Sequence, residues 1–231
     1  MVTGLERITI SVPELQVASE DYRTLLGVEF QQVDLEGVRR RWFALSNTTI
    51  ELVETAGTEA EIRGLLFRAV SASERAAAID NKRGLDISVC SGAPSAPNLR
   101  ESGICNPDGL RVDHLVLRTA SAEDCIDLFT ERLGIRLALD KTVPEWGGRM
   151  LFFRTGKLTL EVIESTQENP EKDYFWGIAY QCADLAKLAL ALSARGVSLS
   201  DIRDGRKPGS RVATVKSHCL GIPTLLLQPP S

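Results

Sequence analysis

The 231-residue sequence predicts an α+β protein made of repeated strand–helix–strand–strand–strand (βαβββ) units. The segment LERITISVPEL, which begins at Leu5, resembles RVDHLVLRTAS, which begins at Arg111. Each segment indicates a strand followed by an amphipathic helix, and a second strand follows the helix. Both helices end in Leu-Gly, at Gly27 and Gly134, because glycine accepts the left-handed conformation of a helix C-cap.

The same repeat continues into a hairpin. RRRWFALSNTTIELVET, from Arg39, parallels GRMLFFRTGKLTLEVIES, from Gly148, as two strands joined by a tight polar turn. Both hairpins carry a glutamate at the same point of the last strand, and Glu51 and Glu161 are 161 − 51 = 110 positions apart. This spacing predicts that the two glutamates occupy equivalent positions.

A weaker repeat follows each of these units. GLLFRAVSASERAAAIDNKRGLDIS, from Gly64, resembles GIAYQCADLAKLALALSARGVSLS, from Gly177, and both indicate a strand, a helix, an Arg-Gly stop and a strand. The chain is therefore four units in two pairs, with one domain expected over residues 1–108 and another over residues 109–231. A stretch rich in Gly, Pro, Ser and Asn ends near Gly109, so the second unit is degraded there and contains the linker.

Composition excludes several classes of function. Lys and Arg total 27 against 31 Asp and Glu, which gives 27 − 31 = −4, so no nucleic acid or anionic lipid partner is expected. The N-terminus has no secretory signal pattern and no apolar run approaches the roughly 20 residues of a membrane span, so we expect a cytoplasmic protein. Five scattered cysteines indicate buried thiols rather than a disulfide framework or a thiolate zinc site.

Paired βαβββ units of this kind resemble the vicinal oxygen chelate superfamily, which includes glyoxalase I, extradiol dioxygenases, methylmalonyl-CoA epimerase and bleomycin-resistance proteins. The resemblance is strongest from Arg111 to Gln228, where VDHLVLRT, LTLEVIE and GIPTLLLQ occur in the expected order. It implies tandem glyoxalase-like domains with curved mixed sheets around a cleft, a small-molecule substrate and a homodimer.

The resemblance also implies a site in the second half. In metal-dependent members, a ligand on the first strand and a glutamate on the last strand of a unit converge in the cleft, and His114 and Glu161 match this pattern. Imidazole and carboxylate together suit one divalent ion, such as Fe, Mn, Zn, Ni or Co. The alternative is a metal-free pair, which still serves as a general base.

The partner unit departs from the superfamily pattern. Gly177 occupies its histidine position and Leu225 its glutamate position, and neither side chain can ligate a metal. His218, just before the final strand in KSHCLGIPT, is the candidate third ligand, with a simple turn residue as the alternative.

The first half departs from the pattern as well, because Arg7 occupies the histidine position opposite Glu51. We expect an ion pair between these two side chains. Residues 1–108 would then have a structural or dimerisation role.

Strand alternation groups further candidates. His114, Val116 and Arg118 share one face of their strand, as do Thr159, Glu161 and Ile163. Arginines and aromatic side chains on a cleft face suit an anionic or aromatic substrate, and the turn DGRKPGSR suits an anionic group, with a solvated or packed residue as the alternative in each case. The candidate substrate-binding residues are Arg118, Arg154, Trp146, Trp176, Arg206, Lys207 and Arg211.

Three functions agree with these observations. The first is a lyase, isomerase or epimerase that uses His114 and Glu161, with or without metal, to handle a proton next to a carbonyl. The second is a non-catalytic binding or resistance protein. The third is an extradiol-type dioxygenase, which requires two histidines and one carboxylate around iron.

Overall fold

The computed structural model describes residues 1–70, 73, 76–91, 109–146, 148–165 and 170–230. The predicted linker, residues 92–108, lies outside the described residues. In chain order the elements are β1 (Val2–Val12), α1 (Leu15–Leu26), β2 (Phe30–Leu35), β3 (Val38–Ala44), β4 (Thr49–Glu54), β5 (Glu61–Ala69), β6 (Ala77–Ala78), β7 (Asp86–Cys90), β8 (Arg111–Thr119), α2 (Ala122–Ile126) with a π-helical continuation (Asp127–Arg132), β9 (Arg136–Val143), a 3-10 turn (Pro144–Trp146), β10 (Gly148–Thr155), β11 (Leu158–Ser165), β12 (Tyr174–Gln181), α3 (Leu185–Ala194), β13 (Arg203–Asp204), β14 (Arg211–Val215) and β15 (Thr224–Gln228).

The chain forms two compact units, each of which takes segments from both halves of the sequence. Unit 1 comprises Met1–Ile8, Ile62–Ser95 and His114–Gly177, and unit 2 comprises Thr9–Glu61, Ala96–Asp113 and Ile178–Ser231. The sequence-based division into residues 1–108 and 109–231 stays a prediction. No helix in the described residues is long and apolar enough to cross a membrane.

In unit 1, the strands follow the order β1-β5-β12-β8-β11-β10-β9. Strands β10 and β11 form an antiparallel hairpin, and β11 returns parallel to β8, as a βαβββ unit requires. Unit 2 has the matching arrangement β2-β3-β4-β1 and a second run, β12-β15-β14-β13. Mixed sheets with few helices confirm the predicted α+β class.

The registers confirm the internal repeat. Trp42 of β3 pairs with Glu51 of β4, and Phe152 of β10 pairs with Glu161 of β11, so both pairs are 110 positions apart. Two Leu-Gly helix stops were also predicted correctly. Gly27 and Gly134 have φ values of 65° and 68°, in the left-handed region that favours glycine.

The helix predicted between Gly64 and Gly84 is wrong over the residues that the structure describes. Ala77 and Ala78 are extended and pair with β7 instead. Both alanines are exposed and the segment is rich in alanine, so a helix here would bury little apolar area. Short helices depend on such burial for their stability, and the second unit therefore departs from the repeat before its linker.

Candidate active site

The two predicted catalytic residues, His114 and Glu161, lie on neighbouring strands of the unit 1 sheet. Strand β8 pairs with β11 so that Thr159 lies opposite His114 and Glu161 lies opposite Val116. Paired residues on neighbouring strands project to the same face. The register therefore places His114 and Glu161 on one face, one step apart diagonally.

The imidazole of His114 and the carboxylate of Glu161 are neighbours without being hydrogen-bonded. His114 Nδ1 lies 3.8 Å from Glu161 Oε1. This distance suits an ion pair when the ring is protonated, but it is too long for a direct hydrogen bond. The side chains are 14% and 21% exposed, so both remain accessible.

Apolar residues lie beside Glu161 on both neighbouring strands. Phe152 pairs directly with Glu161 and packs against a buried cluster of Val116, Met150 and Ile163. None of these side chains can donate a hydrogen bond. Within the described part of the chain, no hydrogen-bond donor reaches the Glu161 carboxylate, and its polar neighbour is His114.

The equivalent glutamate of unit 2, Glu51, has a closed environment. Trp42 Nε1 donates to Oε1 at 2.8 Å, and Thr9 Oγ1 donates to Oε2 at the same distance. Arg40 Nη1 lies 3.1 Å from Oε2, and the Glu51 side chain is 2% exposed. Sequence reasoning identified none of these three partners, and the expected ion pair with Arg7 stays a prediction.

Arg118 lies at the other end of the same face. It pairs with Ile163 of β11, and its guanidinium lies 5.2 Å from the ring centroid of Trp176. This distance gives a cation–π contact, while the Trp176 ring stays 42% exposed. Two of the predicted substrate-binding side chains are therefore in direct contact.

Arg154 shares the face but has a different environment. It pairs with Thr159, and its Nη1 donates a 2.6 Å hydrogen bond to Thr159 Oγ1. The Arg154 side chain is otherwise exposed. Trp146 ends the 3-10 turn, and its side chain lies outside what the structure describes.

Comparison with known proteins identifies the family of this region. Residues 113–214 match the model of the Glyoxalase/Bleomycin resistance protein/Dioxygenase superfamily. The resemblance to the vicinal oxygen chelate superfamily is confirmed. No curated protein sequence matches the chain.

Solved structures have a similar fold over the length of this chain. A triple mutant of 4-hydroxymandelate synthase from Streptomyces coelicolor is 12% identical, with a TM-score of 0.73 over 99% of this chain and 93% of that one. The 2,3-dioxygenase LapB from Pseudomonas sp. KL28 is 15% identical, with a TM-score of 0.66 over 100% of this chain and 93% of that one. At these identities the likeness concerns the fold alone.

The donor set for a divalent metal is incomplete. Catalytic metal sites normally take three protein ligands, and His114 and Glu161 supply two. Among the described residues, no group of three or more His, Cys, Asp and Glu side chains could hold a metal ion. His218 belongs to unit 2, has a positive φ of 60° and lies 2.8 Å from Ser217 Oγ through its Nδ1. Its role as a third ligand stays a prediction.

The cationic turn lies in unit 2. Arg206 and Lys207 are exposed between β13 and β14, and the exposed Arg211 begins β14. Ser210 fixes the turn, since its amide and its hydroxyl both donate to the Lys207 carbonyl, at 2.9 and 2.6 Å. This arrangement is a solvated hairpin turn, and an anion-binding role for it stays a prediction.

Unit 2 also contains an open cavity of about 500 Å³. Its walls come from the end of β1, the first turns of α1 and two loops. The lining residues are Val12, Pro13, Glu14, Val17, Ala18, Thr58, Glu59, Ala60, Leu220 and Gly221. None of the predicted site residues lines this cavity.

Several buried thiols and phenols lie away from Glu161 and His114. The described cysteines Cys90, Cys125, Cys182 and Cys219 are buried free thiols, as predicted. Burial raises the pKa of Cys125 to about 12, and burial likewise raises the pKa of Tyr22 and Tyr180 above the ordinary value. These side chains stay protonated near neutral pH, so they supply no nucleophile.

Proposed function

We propose that this protein is a small-molecule enzyme of the vicinal oxygen chelate superfamily, in which Glu161 and His114 move a proton next to a substrate carbonyl. The observation that carries the proposal is the open carboxylate of Glu161. A partly exposed glutamate beside a histidine, with no protein donor on its oxygens among the described residues, has its oxygens available to accept a substrate proton.

The unit 2 counterpart supports this assignment. Each of the three donors that close Glu51 has an apolar residue at the equivalent position around Glu161. The exchanges are Trp42 for Phe152, Thr9 for Val116 and Arg40 for Met150. The protein thus uses a glutamate as a structural acceptor in one unit and leaves its equivalent available in the other.

The proposed chemistry needs both side chains. The Glu161 carboxylate takes the proton from the carbon next to the carbonyl. The electron pair of the broken C–H bond forms a carbon–carbon double bond, and the π electrons of the carbonyl move to its oxygen. A His114 N–H donates a hydrogen bond to the enolate oxygen that forms. If the enolate turns over in the site, return of the proton from Glu161 to the opposite face of that carbon completes an epimerisation, and return to the same face regenerates the substrate.

The proposal routes no step through a metal ion. In the described part of the chain, a histidine and a carboxylate stand where three ligands are the norm, so this donor set does not fit a tightly held ion. The same shortfall weighs against an extradiol-type dioxygenase, since that chemistry needs a second histidine around iron.

A non-catalytic binding or resistance protein is the second candidate function. The incomplete donor set favours it, because binding alone requires neither a metal nor a general base. Homodimer formation and a cytoplasmic location are further parts of the proposal.

Proton exchange in D₂O tests the proposed function. We expect the wild-type protein to replace the α-hydrogens of some members of a panel of carbonyl acids and ketones with deuterium, followed by proton NMR. Glu161→Gln should slow the exchange by about 100-fold or more, because the amide cannot accept the proton.

Glu51→Gln is the control, since its single side-chain oxygen can still accept from Trp42 Nε1 and its NH2 group can donate to the Thr9 hydroxyl, and the folded variant should leave exchange unchanged. Compounds that bind without exchange would favour the binding protein. Exchange that survives in Glu161→Gln would refute the assignment of the base.

A further inference from the structure

We infer that the open cavity of unit 2 is a second binding site, and that it takes a small organic cation, an ammonium group joined to an apolar chain or ring. The inference goes beyond the proposed function, because neither His114 nor Glu161 lines this cavity. It rests on the size and apolar walls of the cavity, on the backbone of Leu220, and on the charges of the lining residues.

The cavity has room for a small molecule and offers it apolar surface. Its volume of about 500 Å³ lies within the range of ordinary ligand sites, about 300–1,000 Å³. Val12 and Ala18 are buried lining residues, and the Val17 side chain beside them is 52% exposed. An apolar group that covers Val17 removes its methyls from water, which favours binding.

The turn that contributes Leu220 to the cavity has an unfavourable residue for its backbone. Leu220 and Gly221 have φ values of 56° and 75°. Ile222 N closes the turn by donating to the Cys219 carbonyl at 2.9 Å. A four-residue turn with two positive φ values favours Asn-Gly, because asparagine tolerates the left-handed region better than leucine does. The leucine therefore adds strain to the turn, and contact with a ligand in the cavity gives the strained side chain a function.

The charges of the lining residues are negative. Glu14 and Glu59 line the cavity and are exposed, and within the described part of the chain neither carboxylate forms a hydrogen bond or an ion pair. The described lining residues include no Lys, Arg or His. Both carboxylates therefore remain available to a cation.

The N-terminus of α1, which also lies at the cavity, opposes these charges only weakly. A helix N-terminus is equivalent to about half an elementary positive charge, and the Leu15 amide there already donates to Glu54 Oε2 at 3.1 Å. The two full negative charges of Glu14 and Glu59 exceed it. Since both carboxylates are exposed to water, we expect each to contribute only about two- to fivefold in affinity for a cation.

Three probes of similar size and different charge test the inference. Near neutral pH, 4-phenylbutylamine is a cation, 4-phenylbutan-1-ol is neutral and 4-phenylbutanoate is an anion. We expect the wild-type protein to bind the amine about fivefold or more tightly than the alcohol, and to bind the carboxylate most weakly. Titration followed by methyl NMR measures affinity and location together. The amine should shift the methyl signals of Val17 and Leu220 and leave those of Ile163, in unit 1, unchanged.

Carboxylate variants then test the charge. Glu14→Gln and Glu59→Gln should each reduce the preference for the amine over the alcohol by about two- to fivefold, and the double variant should remove it. Asp201→Asn is the matched control. Asp201 is an exposed carboxylate of unit 2 that does not line the cavity, so its loss should leave the preference unchanged.

Leu220→Asn tests the strained turn. Asparagine suits the backbone, so the variant should unfold at the same temperature as the wild-type protein or up to about 4 °C higher. It should nevertheless bind all three probes about fivefold less tightly, because the apolar contact is lost. Leu220→Ala removes the same contact without relieving the strain, and it should weaken binding to a similar extent.

Several results would overturn the inference. They are equal binding of the amine and the carboxylate, a full preference for the amine in the Glu14 and Glu59 double variant, unchanged binding in Leu220→Asn, and failure of every probe to bind at millimolar concentration. Methyl shifts at Ile163 in place of Val17 would locate the ligand elsewhere and overturn the inference as well.

Discussion

Glu51 and Glu161 occupy the same position in two copies of one hairpin, yet the protein treats them in opposite ways. Glu51 is 2% exposed, accepts from an indole and a hydroxyl and forms an ion pair with a guanidinium, whereas Glu161 is 21% exposed and has a histidine at 3.8 Å. The comparison teaches that the neighbours of a carboxylate, rather than its position in the fold, decide whether it supports structure or remains available for chemistry.

Removing each carboxylate should give the largest contrast. Glu51→Ala leaves the Arg40 charge and the Trp42 N–H without their buried acceptor, so we expect a loss of about 3–5 kcal/mol in the free energy of unfolding. Glu161→Ala removes no hydrogen bond and should cost less than about 1 kcal/mol. Urea unfolding measures both, and equal losses would show that the two environments are energetically alike.

Exchanging the aromatic residues should give a smaller effect. Trp42→Phe removes the 2.8 Å donor to Glu51 Oε1 and leaves a small void, at an expected cost of about 2–3 kcal/mol. The reverse exchange, Phe152→Trp, brings an indole N–H to Glu161 and should reduce proton exchange without destabilising the fold. A Phe152→Trp protein with full exchange activity would contradict the importance of the open carboxylate.

The hydroxyl exchange is expected to be weaker again. Thr9→Val keeps the shape of the side chain but removes one donor to a charged group, so unfolding should become easier by about 1.5–3 kcal/mol, near the lower end because Thr9 is only half-buried. Thr9→Ser retains the hydroxyl and is the control. If the valine and serine variants lose the same stability, the hydrogen bond contributes nothing measurable.

Metal addition should produce the smallest change. Two donors bind Zn²⁺ weakly, so 0.1 mM Zn²⁺ should raise the midpoint of thermal unfolding by no more than about 2 °C, which corresponds to less than about 1 kcal/mol. His114→Ala should abolish that rise. A much larger rise that also disappears in His218→Ala would establish a third ligand and reverse the interpretation of the donor set.

Much of the architecture was predictable because it rests on local and periodic signals. The Leu-Gly stops, the hairpin alternation and the 110-residue spacing all arise from short-range patterns, and the structure confirms each of them. The prediction of a helix in the second unit was wrong for a physical reason. A run of alanines indicates a helix by propensity but provides no apolar face to bury.

Side-chain partners were harder to predict. The proximity of His114 and Glu161 followed from the strand pattern, whereas the closure of Glu51 depends on which cross-strand neighbours carry donors. Trp42 and Phe152 are visible at equivalent positions of the repeat, and that difference was the available signal. The contact of Arg118 with Trp176 joins strands 58 positions apart, since 176 − 118 = 58, and no local pattern encodes it.

The hydrogen bonds of Glu51 have a consequence for how such proteins diverge. Its partners lie on β1 and β3 while Glu51 itself lies on β4, so the carboxylate links three strands. After a unit is duplicated, selection for folding stability retains a residue that is hydrogen-bonded in this way, even when the residue has no catalytic role. If the glutamate at this position is invariant in the first half of related chains, selection for stability would explain it. Differences in the donors around it would then separate chains in which the glutamate is structural from chains in which it is available for catalysis.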